Sequence, residues 1–298
     1  RQEPPIQRSQ SRYHWFMTNP FLSQIWVYPV KSMVGGTVEQ CSVSELGLVG
    51  DRVWAVRDLE NGGIRGAKKF GGLMKLSASF VKGSDDVSIS LPSGRVVRSD
   101  DSDVHTAISE AIGVPVQLEH LRPATDLDHF RRGAPSSDDM MEELRNVFGR
   151  DIDEPLPDFS VFPPEVIEFE SPPGTYHDCW PLMIMSTSAL RSMQEALPDS
   201  QIDIRRFRPS LVIDTGDQTG HPEFSWAGKT ARIGDCEIEF QSACPRCVMV
   251  TREVGDDLPA DRAILRHIVR DLDQNVGVYA KVTKPGTIKT TDQLTFLS

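Results

Sequence analysis

The sequence contains few of the residues that build covalent scaffolds and common metal sites. Its five cysteines, at positions 41, 179, 236, 244 and 247, are too few and too scattered for a disulfide framework. A reducing, cytosol-like compartment is the simpler interpretation, and the thiols are then free to act as ligands. The seven histidines show no H-x-x-x-H or similar spacing, which argues against a histidine metal site.

Long apolar runs and an excess of positive charge are also missing. No run of 18 or more apolar residues occurs, so the sequence predicts no transmembrane segment. The net charge of −11 argues against a protein whose main work is to neutralise nucleic-acid phosphates, although it leaves room for a local basic pocket. The sequence contains neither a four-cysteine iron–sulfur spacing nor a G-x-G-x-x-G after a predicted strand, so no second redox group is indicated.

The N-terminal residues 1–20 are polar and contain no apolar signal core. Arg1, Arg8 and Arg12 precede any acid other than Glu3, a bias that resembles an organelle transit peptide. A disordered tail is the alternative interpretation of the same stretch. The predicted localisation is cytoplasmic, or mitochondrial if these residues are a targeting remnant.

Short strand-like segments bounded by glycines dominate residues 21–121 and indicate a β-meander or barrel. Residues 122–164 are rich in Asp, Pro and Ser and are interpreted as an insertion or linker. Residues 165–298 return to strands, and the two halves are able to share one sheet. The predicted fold is mixed and mainly β with a few helices, with an N-terminal β-barrel-like domain packed on a second domain.

Helical periodicity is confined to a few segments. Residues 104–112 follow Asp103 as a plausible N-cap and stop at Gly113, and residues 186–197 begin at Ser186 or Thr187. Two further helices are predicted over residues 138–148 and 263–271. Strands are predicted over residues 166–169, 183–185 and 248–251. Arg205, Arg206 and Arg208 alternate around a predicted strand start, so at least one of them is expected to face solvent.

The most informative stretch is C-P-R-C at 244–247, which is predicted to connect two strands. Two thiols three residues apart beside a guanidinium, with proline stiffening the turn, suit the presentation of one thiolate to a ligand. We therefore interpret the loop as binding a metal through one sulfur. A zinc half-site and a redox dithiol are the alternatives, but there is no second C-x-x-C, and no helix is predicted directly after the first cysteine.

Five motifs in order resemble the MOSC family, whose members carry the molybdenum-cofactor-sulfurase C-terminal domain behind a β-barrel N-terminal domain. They are W-V-Y-P-V-K-S at 26–32, G-D-R-V-W at 50–54, R-F-R-P-S-L-V-I at 206–213, A-C-P-R-C at 243–247 and P-G-T-I-K at 285–289. The resemblance runs from about residue 21 to 298. It is strongest to the amidoxime-reducing members of the family, mitochondrial and bacterial, and implies that residues 165–298 form the MOSC β-barrel domain.

The resemblance implies a molybdenum cofactor whose metal is bound by Cys247, which is also the expected catalytic residue. Lys31, Arg52 and Arg208 fall on basic positions that hold the phosphate and pterin. Three residues depart from the family pattern: Arg206 and Ser210 stand where asparagine occurs, and Pro245 stands where serine occurs. The full set of expected cofactor contacts is Lys31, Arg52, Ser186, Arg206, Arg208, Ser210, Arg246 and Cys247.

The chemistry of this cofactor agrees with the residues. A dianionic phosphate requires a mostly acidic protein to gather cations locally, preferably as forked guanidinium contacts. A thiolate is a soft ligand for a metal already bound by sulfur, and Arg246 is expected to help keep Cys247 deprotonated. Without the family resemblance, Lys31 and Arg52 would be interpreted as ordinary solvated charges. Cys244 is expected to support the loop, and Asp178 either approaches the site or caps a turn.

The predicted function is that of a molybdenum-cofactor-dependent reductase of N-oxygenated compounds such as amidoximes, hydroxylamines and N-hydroxylated bases. Because no other redox group is indicated, electrons are expected from a separate partner, such as a cytochrome b5 or a ferredoxin with its flavin reductase. The alternatives are a non-catalytic carrier of the cofactor and a sulfur carrier that uses Cys247 as a persulfide.

Overall fold

A computed structural model of the protein describes residues 19–297 and is mainly β, with seven α-helices in that range. The predicted tail lies outside the described residues except for positions 19 and 20. The strands are β1 Phe21–Val27, β2 Gly36–Val38, β3 Gln40–Ser44, β4 Gly47–Leu48, β5 Trp54–Asp58, β6 Ile64–Arg65, β7 Ser77–Phe80, β8 Val87–Ser90, β9 Val96–Arg98, β10 Val116–His120, β11 Leu182–Ser186, β12 Leu211–Asp214, β13 Thr230–Ile233, β14 Cys236–Pro245, β15 Asn275–Lys284, β16 Gly286–Lys289 and β17 Leu294–Leu297. The α-helices are α1 Val104–Ile112, α2 Leu127–Phe130, α3 Met140–Phe148, α4 Glu165–Glu168, α5 Thr187–Ala196, α6 Ile204–Phe207 and α7 Arg262–Asp271, and the 3-10 helices are Gly71–Lys75, Phe159–Val161, Pro222–Trp226 and Val248–Thr251.

The largest sheet has eight strands in the order β17-β13-β14-β15-β11-β12-β1-β2. The pair β11–β12 is parallel, and the other pairs within it are antiparallel. In β1 the buried Leu22, Ile25 and Val27 contribute to the same core as the strands of the C-terminal half. The N-terminal strands therefore complete a sheet built mostly by the second half of the chain.

Three smaller sheets complete the fold, with the orders β10-β5-β6, β7-β8-β9 and β16-β3-β4. The last of these sheets joins residues 286–289 to residues 40–48. Each half of the chain therefore contributes strands to a sheet of the other half. The mainly β fold with a few helices is confirmed. The shared sheets place residues from distant parts of the sequence close enough to build one site.

Four helices were predicted from local signals, and each is present. The helix α1 spans the predicted residues and ends at Gly113, whose φ of 74° is the left-handed conformation that glycine adopts without strain. Asp139 caps α3 by accepting hydrogen bonds from two backbone amides, and Ser186 accepts one from Ala189 to cap α5. The predicted cap Asp103 instead forms an ion pair with Arg95.

Two strand predictions were wrong. Residues 248–251 form a 3-10 helix, because burial of Met249 and Val250 in the tertiary structure outweighs the β preference of the run. The C-P-R-C segment therefore connects a strand to a helix. Residues 165–168 form α4, which follows two prolines that suit a first helical turn. Arg205 and Arg206 lie on the short helix α6, and the strand that was predicted to start beside the arginines is present as β12.

Within residues 19–297, no helix combines the length and the apolar character that crossing a lipid bilayer requires. The longest helices there, α5 and α7, have ten residues each.

Candidate functional site

Cys247 lies where β14 gives way to the 3-10 helix that follows it. Arg246 still donates its backbone amide to the Gln274 carbonyl, 2.9 Å away, while Cys247 is extended and is the N-cap of the helix. Met249 and Val250 are buried and anchor the helix. The Cys247 side chain is half-buried, whereas Cys244 is fully buried. Of the two thiols in the motif, Cys247 is the one that a ligand can reach.

The surroundings of Cys247 are positively charged. Burial lowers the pKa of Arg150 to about 10, and the nearby Cys247 and Glu154 oppose that shift. Arg150 Nη2 donates to the Arg246 carbonyl, 3.1 Å away, which fixes the guanidinium beside the motif. Burial alone would lower the pKa of Lys68, but Asp178 and then Cys247 outweigh that effect and hold the pKa above its usual range. Lys68 and Arg150 therefore supply positive charge beside Cys247.

Arg246 is buried and makes two side-chain bonds within the chain. Its Nη1 donates to the sulfur of Cys244 at 3.1 Å, and its Nη2 donates to the Phe207 carbonyl at 2.7 Å. Its charge also lies within electrostatic reach of Cys247. The direct guanidinium contact is therefore made to Cys244, which gives this second cysteine a defined role in holding the loop.

A pair of arginines lies over the ring of Tyr28. The guanidinium carbons of Arg52 and Arg208 are 4.9 and 4.2 Å from the ring centroid. Arg52 forms an ion pair with Asp51, and Arg208 Nη1 donates to the Met33 carbonyl at 2.5 Å. The second terminal nitrogen of Arg208, Nη2, is buried and has no hydrogen-bond partner among residues 19–297.

Electrostatics at this arginine pair favour a bound anion. Burial, followed by the charge of Arg52, lowers the pKa of Arg208 to about 10. Arg52 has the Asp51 carboxylate as its direct partner, whereas Arg208 feels Asp51 and Asp178 only through their charge and retains an unused donor. A phosphate group would neutralise this excess charge and accept the free N–H.

Backbone strain accumulates at the same place. Ser32, Arg52 and Arg208 have φ values of 69°, 53° and 57°, in the left-handed region that side-chain-bearing residues rarely adopt. Such conformations cost about 1–3 kcal/mol each and persist where the surrounding structure requires them. Two of the three residues are the arginines over Tyr28, so the strain coincides with the expected phosphate contacts.

Lys31 is buried, with 3% of its surface exposed, and lies at the centre of an ion-pair cluster. Its ammonium group donates to the Tyr176 carbonyl at 2.7 Å, to Ser171 Oγ at 3.3 Å and to the Asp178 carboxylate. All three of its N–H groups thus have partners in the chain. Lys31 contributes charge to the site, and a direct contact with an anion requires the exchange of one of these bonds.

Asp178 joins two lysines. It binds Lys31, and its Oδ2 is 3.3 Å from the ammonium nitrogen of Lys68. Burial alone would raise the pKa of the Asp178 carboxyl, but the two lysines outweigh that effect and hold the pKa well below its usual range. The structure thus assigns Asp178 an ion-pairing role at the edge of the site.

Arg206 lies apart from the arginine pair over Tyr28. It is fully buried, and its three guanidinium nitrogens donate to the carbonyls of Gln201, Arg252 and Pro259 at 2.7–3.0 Å. The arginine of this group that faces solvent is Arg205, whose side chain is 25% exposed and forms ion pairs with Asp203 and Asp257. Arg206 connects three backbone segments and has no guanidinium nitrogen left for a ligand.

The two candidate serines are also engaged in backbone and helix contacts. Ser186 caps α5 and donates its hydroxyl to the buried carboxylate of Glu223 at 2.5 Å. Ser210 donates its amide to the Met183 carbonyl at 2.8 Å, while its hydroxyl accepts from the Met183 amide at 3.4 Å. The side-chain contacts of Ser186 are to α5 and Glu223 and not to the cysteine loop. Ser210 follows Arg208 by two residues and lies beside the arginine pair.

Several site residues were missed by the sequence analysis. Lys68 belongs to a basic loop that had no identifiable partner, and Arg150 follows α3 in a region interpreted as a linker. Tyr28 and Asp51 sit inside the matching motifs, but nothing local distinguishes them from core residues. Only the tertiary structure brings these groups to Cys247 and the arginine pair.

Two family models match the two halves of the chain. Residues 172–295 match the family model described as "MOSC domain", and residues 19–119 match the one described as "MOSC N-terminal beta barrel domain". The chain belongs to the MOSC family. The predicted membership is therefore confirmed, with the N-terminal barrel domain preceding the MOSC domain.

The individual relatives share only low sequence identity with this chain. The human mitochondrial amidoxime-reducing component 1 is 24% identical over 315 residues, covering 93% of this chain and 82% of that protein. The molybdenum cofactor sulfurase of Arabidopsis thaliana is 26% identical over 77% of this chain, which spans only 28% of that protein. A crystal structure of the YUAD protein from Bacillus subtilis aligns over 94% of this chain and 96% of its own, with 8% identity and a TM-score of 0.42.

The polar groups on this site fit a cofactor that brings its own metal ligands. In the described part of the chain, no group of three or more His, Cys, Asp or Glu side chains could hold a bare metal ion. One half-buried thiol is available at Cys247, and an unpartnered guanidinium nitrogen is available at Arg208. A phosphorylated pterin with sulfur-bound molybdenum needs a donor of each kind.

Proposed function

We propose that the protein is a molybdenum-cofactor-dependent reductase of N-oxygenated compounds, among them amidoximes, hydroxylamines and N-hydroxylated bases. The observation that carries the proposal is the position of Cys247, a half-buried thiol surrounded by cations from three separate segments. Membership of the MOSC family and the similarity to an amidoxime-reducing component support it.

The residues divide the binding of the cofactor between them. Cys247 would hold the metal, and Arg208 with Arg52 would hold the phosphate, since Arg208 retains a free donor. Lys31, Lys68 and Arg150 add positive charge around the same space. When bound, the cofactor supplies the two-electron redox chemistry that cleaves an N–O bond, and the chain supplies ligation, orientation and charge.

Proton supply is a task for the chain itself, because reductive cleavage of an N–O bond consumes protons. Asp178 is the partly exposed member of the cluster, with 39% of its side chain accessible, and it touches both lysines. Although burial opposes them, Asp178 and Cys247 hold the pKa of Lys68 above its usual range, so Lys68 would contribute positive charge near Cys247, and protons would come from solvent at the exposed edge of this pair. Electrons would come from a separate partner such as a cytochrome b5 or a ferredoxin with its flavin reductase.

The test combines metal analysis with turnover. The protein is expressed in a host that makes the cofactor, its molybdenum and pterin are measured, and reduction of hydroxylamine and benzamidoxime is followed with an artificial electron donor. We expect about one molybdenum per chain and turnover of at least one substrate. Molybdenum without turnover would favour a cofactor carrier. A protein that binds no molybdenum would exclude both the reductase and the cofactor carrier.

The carrier role has one specific observation in its favour, the similarity to a molybdenum cofactor sulfurase. A sulfur carrier would use Cys247 as a persulfide, and that form is detected as a gain of one sulfur atom in intact-protein mass spectra. A persulfide on Cys247 together with absent turnover would replace the reductase proposal.

A further inference from the structure

Apolar side chains are concentrated on the exposed surface of α3 and of the segment that follows it. Among residues 19–297, four of the twelve exposed large apolar side chains lie between residues 140 and 159, namely Met140, Met141, Ile152 and Phe159. Ile152 is the most exposed of the twelve, at 88%. Single exposed apolar side chains are ordinary on a protein surface, whereas a concentration of them marks an interaction site.

The apolar side chains of α3 form a stripe along the helix. Met141, Leu144 and Phe148 recur at three- and four-residue spacing and therefore share one face, and α3 contains no buried residue. At the end of the helix, the ring centroids of Phe148 and Phe159 are 5.7 Å apart, so the stripe continues onto the next segment. The rest of the chain thus covers the apolar face of α3 only in part.

Exposed carboxylates accompany this stripe. Four of them form no ion pair within residues 19–297, and each is adjacent to an exposed apolar side chain or two residues from one: Asp138, Glu142, Asp153 and Asp158. The cations of the same segment point to its interior, because Arg145 is half-buried and donates to the carbonyls of Asp151 and Glu154 at 2.7 and 3.0 Å, and Arg150 is 5% exposed. We call the stripe with its four acids the α3 face.

The inner side of α3 is attached to the cysteine loop. The helix packs against the 3-10 helix that begins after Cys247. Arg150, just beyond the end of α3, donates to the Arg246 carbonyl at 3.1 Å, and a Cβ on Gly149 would lie 3.2 Å from the Cβ of Val248. An α-helix with its side chains is about 10–12 Å across, so a protein docked on the α3 face would lie roughly one helix diameter from the thiol.

We propose that the α3 face is the docking surface for the electron donor of the reductase, and that this donor presents an apolar centre surrounded by basic side chains. The inference rests on the proposed function, which requires electrons from a separate protein. Opposite charges on the two partners steer the encounter and fix the orientation of the complex. Weak electron-transfer complexes bury less than about 1,200 Å² in total, so a short helix and the segment after it make up a large part of such an interface.

The negative charge of the α3 face argues against other occupants. A second copy of the chain related by a two-fold axis would bring the same four carboxylates against each other. The anionic surface of a membrane and the phosphates of nucleic acid would be repelled in the same way. The charge also selects among redox proteins, because a carrier with an acidic face would meet like charges.

Cross-linking locates the docking surface on the cofactor-loaded protein. The probe is cytochrome c, a small basic haem protein, and a zero-length carbodiimide reagent joins its lysines to the carboxylates that they contact. We expect the cross-links, identified by mass spectrometry, to fall on carboxylates between residues 138 and 158. Cross-links that are spread over the acidic surface, or that are absent from this segment, would overturn the inference.

Affinities of matched variants separate the α3 face from the overall negative charge. The first variant combines Asp138→Asn, Glu142→Gln and Asp153→Asn. The control variant combines Glu195→Gln, Asp199→Asn and Asp217→Asn, at exposed acids on or near α5. At low salt the affinity for cytochrome c should fall about tenfold in the first variant, equivalent to about 1.4 kcal/mol, and by less than about twofold in the control. An equal loss in both variants would contradict the α3 face, as would tighter binding of the wild type to an acidic cytochrome b5 than to cytochrome c.

Electron transfer is measured by oxidising the reduced protein with the same probe. Each ferric haem accepts one electron, so two molecules of cytochrome c are reduced for each protein that has taken up two electrons. The rate at low salt should fall about tenfold in the triple variant of the α3 face and also in Met141→Ser/Ile152→Ser. Leu59→Ser/Val96→Ser, at exposed apolar positions elsewhere, should keep the rate. Ferricyanide, which needs no docking surface, should oxidise all of these proteins at least as fast as the wild type.

The two proposals fail in different ways. If the loaded protein reduces no N-oxygenated substrate with an artificial electron donor, the reductase proposal fails, while the cross-links and affinities still decide the docking surface. If both variants of the α3 face transfer electrons to cytochrome c as fast as the wild type does, the surface lies off the electron path and the inference is overturned.

Discussion

Arg246 donates a hydrogen bond to the sulfur of Cys244 across 3.1 Å, so the buried cysteine of the motif is the one that the adjacent arginine holds. Cys247, three residues later, is only half-buried. The two thiols thus have different surroundings despite their short separation in sequence. This asymmetry makes them separable by substitution.

The cysteine pair gives the first prediction. Cys247→Ser should lose most of its molybdenum and all reductase activity while remaining folded, because a hydroxyl is a poor ligand for a soft, sulfur-bound metal. Cys244→Ser should keep the metal but lose about 1–3 kcal/mol of stability, since a hydroxyl replaces a buried sulfur. Metal analysis and urea unfolding of both variants measure this, with Cys41→Ser as the control. Full molybdenum in Cys247→Ser would refute the ligand assignment.

The arginine pair over Tyr28 gives the second prediction. In protein prepared without cofactor, inorganic phosphate should raise the melting temperature, because an anion satisfies the free Nη2 of Arg208 and the charge it shares with Arg52. At a concentration one hundred times the dissociation constant, the gain is about 2.7 kcal/mol. Arg208→Met should abolish the phosphate effect, whereas Arg95→Met, at an exposed ion pair, should retain it. An equal response in both variants would place phosphate elsewhere.

Arg206 gives a third prediction, of the opposite kind. Arg206→Lys should lower the free energy of unfolding by about 2–4 kcal/mol, because a lysine cannot satisfy the three buried carbonyls that the guanidinium binds. The folded variant should still show the phosphate-induced rise in melting temperature. Urea unfolding with and without phosphate checks both statements. A stable variant that no longer responds to phosphate would show that Arg206 takes part in binding the anion.

His177 gives a prediction on pH. Burial, followed by the charge of Arg52, lowers the pKa of His177 to about 4, and its Nε2 lies 3.1 Å from the Leu46 carbonyl. In the unfolded chain a histidine titrates near 6.5, so between about pH 6.5 and 4 the unfolded state binds more protons. Stability should be fully present above pH 6.5 and should fall by up to about 3 kcal/mol as the pH drops to 4.

His177→Gln should remove this part of the acid sensitivity, and His267→Gln, on α7, should keep it. Urea midpoints measured from pH 7 to 4 for the three proteins provide the comparison. Identical slopes for the wild type and His177→Gln would show that another group causes the loss.

The sequence predicted elements whose signals are local. The helix α1 has an apolar face and ends at a glycine that needs a positive φ, and both signals lie within the helix and its boundary. Residues 248–251 have a local β preference, but the burial of Val250 against α7 and of Met249 in the core of the N-terminal half decides their conformation. A contact made by a distant element leaves no mark in the segment itself.

The same distinction applies to the site. Cys247, Arg52 and Arg208 were identified because the motifs around them resemble a family. Lys68 and Arg150 carry ordinary charges in a loop and in an insertion, and only the packing of α3 and the basic loop brings them near the thiol. Arg206 has the same residue type as Arg208 two positions away, yet the left-handed backbone at Arg208 directs the two side chains to different surroundings.

The ion-pair cluster around Lys31 gives the last prediction. Burial lowers the pKa of Lys31, and Asp178 partly opposes that shift. Asp178→Asn removes the opposing charge, so the pKa of Lys31 should fall further below the value near 10.4 of an unfolded lysine. Between these two values the unfolded state binds more protons, and stability therefore rises with pH.

The Asp178→Asn variant should consequently be less stable than the wild type at pH 7, and the deficit should shrink as the pH approaches 10. The expected loss at pH 7 is about 1–3 kcal/mol, less than for a fully buried pair because the Asp178 side chain is 39% exposed. Asp103→Asn, which breaks an exposed pair with Arg95, serves as the control and should change stability little at any pH. A stability deficit that stays constant from pH 7 to 10 would mean that Lys31 keeps its proton without Asp178. The stabilising ion pair of Asp178 would then be the one with Lys68.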